Sequence, residues 1–63
     1  MGAGTVMAAK EEVILVLVDD YELELAQAEK VVGNAIQIDP GVMHGPAEVV
    51  AEEIYTEQSF WEG

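Results

Sequence analysis

His44 is the single imidazole of the chain, with Asp39 behind it and Glu48 ahead of it. A catalytic metal centre needs close ligands at defined spacing, and one histidine with two scattered carboxylates does not supply them. His44 is therefore expected in a loop, and no metal ligand or cofactor is assigned. The absence of cysteine removes thiolate zinc sites and thiol nucleophiles together. Ser59, Thr5 and Thr56 have no base near them in sequence. Paired carboxylates can divide acid and base roles, but only in a walled cleft that raises one pKa, and so short a chain cannot enclose one alone. Gly2-Ala3-Gly4 follows no strand and lacks the lysine of a phosphate loop. These residues point away from an enzyme, and a metal-assisted site shared between subunits is only a third reading.

Charge is more informative. Thirteen aspartates and glutamates face Lys10 and Lys30 with no arginine, a net charge of −11 over 63 residues. With no cationic surface to meet phosphates, direct nucleic-acid binding is not expected, and an anionic membrane would repel the chain. A basic protein would be attracted. Composition is 51% apolar, too hydrophobic for an acidic disordered tail, so the chain is expected to fold. The acids Glu48, Glu52, Glu53 and Glu57 form two like-charge pairs four residues apart, which slightly weaken an isolated helix. Beside them stand Val49 and the aromatics Tyr55, Phe60 and Trp61, side chains of the kind that anchor protein interfaces. Together with Leu23, which projects away from its helix's apolar stripe, these are the candidate protein-binding residues.

The stretch Val13-Ile14-Leu15-Val16-Leu17-Val18 is fenced by Glu11-Glu12 and Asp19-Asp20. Residues 13–21 resemble the first strand of a response-regulator receiver domain, in which apolar residues end in acids that hold magnesium. The chain lacks the other parts that family needs, a phosphorylatable aspartate closing a third strand and a lysine further on. Asp19 and Asp20 are instead expected to cap a following helix, with Glu22 completing an acidic capping box.

Patterning sets the secondary structure that would carry these side chains. Four β-branched members in the apolar run favour a buried strand over residues 12–18. Gly33-Asn34 is a helix stop, which places a helix over 20–32 with Tyr21, Leu25, Ala28 and Val32 on one stripe. Ala35-Ile36-Gln37-Ile38 alternates and ends at Asp39-Pro40-Gly41, giving a second strand over 35–38 and a turn. Pro46 suits the first position of a last helix over 46–60, its core face formed by Ala47, Val50, Ala51, Ile54 and Trp61. The expected fold is an α/β miniature, β-α-β-α, with a β-hairpin plus helix as one alternative and a helical hairpin with one long heptad helix as another. Residues 1–6 are expected to be a flexible tail and 7–63 one small domain. Nothing is long enough to span a bilayer, and no cleavage site follows the apolar run, so a cytoplasmic protein is expected.

Two strands cannot cover two helices and such a run, so a homodimer or a complex with another protein is expected. The leading functional reading is an acidic inhibitor or adaptor that occupies a basic surface, such as a nucleic-acid-binding groove, on a partner protein. The alternative is a small structural subunit that self-assembles.

Overall fold

The computed structural model of the chain describes residues 7–62; the tail expected over 1–6 lies outside the described residues. Among the described residues are four α-helices and one short 3-10 helix: α1 at Lys10–Asp20, α2 at Leu25–Ile38, the 3-10 helix at Pro40–Met43, α3 at Ala47–Thr56 and α4 at Gln58–Glu62. Among the described residues there is no strand, only an isolated bridge between Met7 and His44. This overturns the expected α/β arrangement, strands 12–18 and 35–38 included, and with it the β-hairpin alternative. The single heptad helix is overturned as well, because residues 21–24 leave the helical path.

Residues 13–18 are helical because a helix lets the run divide its burial. Val13, Ile14 and Leu17 lie on one face and are buried, while Leu15 is 56% exposed. β-branched residues lose only a few tenths of a kcal/mol each in a helix, and packing overrides that. Glu11 and Glu12 sit in the first turn, where the helix dipole favours acids. Asp19 and Asp20 are the last two residues of α1, at the negative end of its dipole, and do not cap the next helix. The helix stops where Glu22 takes a left-handed backbone, φ 60°. The Leu17 carbonyl there accepts the N–H of both Tyr21 and Leu23, each at 3.2 Å.

α2 runs through Gly33 and Asn34, the expected stop. Gly33 has an ordinary helical backbone rather than the positive φ of a terminator, and Asn34 turns its side-chain amide to the carbonyl of Phe60, 2.9 Å away. The expected second strand is thus the last turn of α2, which closes at Asp39 before Pro40 as sterics at the residue before proline require. Its buried face, Ala28, Val31, Val32 and Ala35, has helical spacing. Leu25, expected on that stripe, is 55% exposed in the first turn.

Pro46 occupies the N-cap of α3, and Val50, Ala51 and Ile54 are buried as expected. The helix expected over 46–60 breaks at Glu57, whose backbone is extended. Neither glycine nor proline causes the break. The aromatic residues beyond Glu57 favour it: Phe60 enters the core, and the Trp61 indole Nε1–H donates to the carbonyls of Ile54 at 3.2 Å and Tyr55 at 3.1 Å. Those carbonyls are among the last four of α3, which a helix leaves without an internal partner.

The buried residues of α1, α2 and α3 join Val42, Met43 and Phe60 in one apolar core, and among the described residues no polar side chain is buried. Among the described residues there is no sheet whose open face would demand a partner. No helix among the described residues is long and apolar enough to cross a membrane.

Candidate functional site

α1 packs against α3, and the two open a groove of about 390 Å³. Glu12, Leu15, Val16, Asp19 and Asp20 line it from α1; Pro46, Ala47 and Glu48 line it from the start of α3. On α1 these positions are steps of three and one, a single helical stripe in which acids bracket an apolar centre. No lining residue is cationic.

An aromatic row adjoins the groove. The Tyr21 ring, just past the end of α1, lies 4.5 Å from that of Tyr55 on α3, tilted by 34°. Tyr55 in turn meets Trp61 edge to face at 5.9 Å. Both distances fall in the range where aromatic pairs attract. Partial burial raises the Tyr21 phenol above its ordinary pKa, and the negative charge of Glu52, Asp20 and, once ionised, Tyr55 adds to the rise. Asp20 belongs to the groove and Glu52 and Tyr55 to α3, so groove and aromatic row form one continuous acidic and aromatic face.

The structure brings only part of the expected site together. Glu48, Glu52 and Tyr55 share this face, with half-buried Trp61 at its end. Val49 is 52% exposed but points away from the core on the outer side of α3. Glu53 and Glu57 line a different concavity of about 430 Å³ on the other flank, with Asp39, Gly41, Val42, Thr56 and Phe60. Phe60 is only 4% exposed and serves the core. Leu23 is half-buried and packs against that core from the link between α1 and α2. His44 is exposed at the end of the 3-10 helix, where its neighbour Met43 accepts the Ala8 N–H at 2.8 Å. Among the described residues, no group of three or more histidines, cysteines or carboxylates could hold a metal ion.

Sequence reasoning missed the α1 half of the face: Glu12, Leu15, Val16, Asp19, Asp20 and Tyr21. A strand over 12–18 buries Leu15 and Val16 by assumption. Drawn on a helical wheel, the same residues would have shown Leu15 and Val16 flanked by acids a turn away on either side.

No protein-family model, no curated protein and no solved structure matches the chain. The class that the fold itself defines is architectural, a small all-helical domain with one acidic and aromatic face.

Proposed function

We propose that this chain is an acidic protein-binding module, an inhibitor or adaptor without catalysis of its own, that occupies a basic surface on a partner protein. The basic groove of a nucleic-acid-handling protein is such a surface. The observation that carries the reading is the face shared by α1 and α3, where Glu12, Asp19, Asp20 and Glu48 rim an apolar groove and Glu52 stands beside Tyr21, with no cation among the groove's lining residues. Carboxylates so placed steer a basic partner and fix its register, while half-buried Tyr21 and exposed Tyr55 provide rigid contact area.

The test is to immobilise the chain, capture proteins from its native host at low salt and elute by raising salt. Affinity for any purified captured protein is then measured across ionic strength. Binding should fall steeply with salt, and Glu48→Lys with Glu52→Lys should weaken it at least tenfold, because charge pairs across an interface are screened and directional. If the captured protein binds nucleic acid, duplex DNA should compete with the chain. Affinity indifferent to salt and to both reversals would end the proposal.

Self-assembly as a structural subunit draws on a separate observation, the exposed Leu25, Ile38 and Val49. It calls for a defined oligomer of the chain alone in light scattering, dissolved by Val49→Glu.

A further inference from the structure

We infer that the groove between α1 and α3 takes a basic helical segment of the partner, with one aliphatic side chain seated between two lysines or arginines a helical turn to either side. The inference rests on the binding role proposed above and names the chemistry of its ligand. Along the α1 wall the order is acid, apolar, acid: Glu12, then Leu15 and Val16, then Asp19 and Asp20. Glu12 and Asp20 are eight residues apart, about 12 Å along the helix axis. A ligand helix carrying basic, aliphatic and basic residues at positions i, i+4 and i+8 repeats that spacing with opposite charge.

The facing wall supplies Pro46 and Ala47 against the aliphatic side chain and Glu48 against a cation. Leu15, 56% exposed, is the largest apolar side chain on the floor. A second copy of this chain fits poorly, because its own helices would bring more carboxylates against these four. The nearby Tyr21 and Tyr55 rings offer faces to an arginine that overruns the groove.

The probe is an acetylated, amidated alanine-rich peptide with Arg, Leu and Arg at i, i+4 and i+8, titrated to millimolar concentration into the isotopically labelled full chain. Amide shifts are followed by NMR, and a control peptide has Ser in place of Leu. The shifts should centre on Leu15, Asp19, Ala47 and Glu48, and the control should bind roughly tenfold more weakly, the loss expected for one buried aliphatic side chain. Leu15→Ser in the chain should cost a similar factor with its circular dichroism unchanged, since Leu15 lies outside the core.

Shifts centred instead on Asp39, Glu53 and Glu57, or equal binding of both peptides, would overturn the groove while leaving the acidic-module reading standing. No perturbation by either peptide at low salt would overturn both. Concentration-dependent dimerisation lost in Leu15→Ser would overturn the inference in favour of a second copy.

Discussion

α1 and α3 wall the same groove and bury comparable apolar faces, yet they are held in opposite ways. α1 presents a nearly unbroken apolar run, ends on two aspartates that oppose its dipole and closes through a left-handed glutamate. Its position depends on Val13, Ile14 and Leu17 in the core. α3 alternates acid and apolar residues, and its end is tied by side chains: the Trp61 indole on the Ile54 and Tyr55 carbonyls, and the Thr56 hydroxyl on the Glu52 carbonyl at 3.0 Å. One wall is placed by packing and closed by its own backbone, the other by packing and a terminus that side chains hydrogen-bond.

The largest expected effect comes from removing that packing. Leu17 is fully buried, and Leu17→Ala should destabilise the domain by about 2–5 kcal/mol through lost transfer energy and a residual cavity, enough to unfold much of so small a domain. Urea denaturation monitored by circular dichroism measures it; a loss under about 1 kcal/mol would mean that α1 is anchored by something besides its core face.

Trp61→Phe comes next, because it keeps a ring beside Tyr55 and deletes the N–H that serves two carbonyls. A loss of about 1–2 kcal/mol, read by the same denaturation, is expected from the missing hydrogen bonds and area. No loss would erase the contrast between the two helix ends.

Glu22→Gly should act in the other direction. A non-glycine residue in the left-handed region is strained, so glycine there should raise stability by about 0.5–1 kcal/mol, after the entropy that glycine adds to the unfolded chain. A fall would show that the Glu22 side chain supports the end of α1 by contacts of its own.

The smallest effect concerns Tyr21. Its pKa in the fold lies above the ordinary 10.0, so the unfolded chain loses this proton first as pH rises. Its contribution is complete below pH 10 and drains away as pH climbs through the folded value. Stability measured by denaturant from pH 8 to 11 should therefore drop at the alkaline end, and by less in Tyr21→Phe. An equal drop in both would exclude Tyr21 as the cause.

Much of α3 was legible in the sequence, and little of α1. Pro46, Val50, Ala51 and Ile54 announce a helix and its buried face because their spacing is unambiguous, and Asp39-Pro40-Gly41 marks a real change of direction between α2 and α3. The run at 13–18 misleads because six apolar residues carry no period, and β-branching favours a strand only where a sheet is available to pair with. Gly33 misleads by composition. It sits inside α2, where a Cβ would meet nothing within 4 Å, so glycine is not required there. The break at Glu57 carries no glycine or proline to mark it; the Trp61 indole on the end of α3, the buried Phe60 ring and the Asn34 amide on the Phe60 carbonyl favour it.

The candidate site divides along the same line. Glu48, Glu52 and Tyr55 are legible because the period of their helix is, whereas Leu15, Asp19 and Asp20 stand in and beside a run that shows no period.

The row from Tyr21 through Tyr55 to Trp61 also makes the domain its own optical instrument. The chain holds two tyrosines and one tryptophan, and the fold strings all three together across the ends of α1 and α3. Light absorbed by Tyr21 should emerge as indole emission while α1 stands against α3. The ratio of the two emission bands then reports, without any label, whether the walls of the groove stand together.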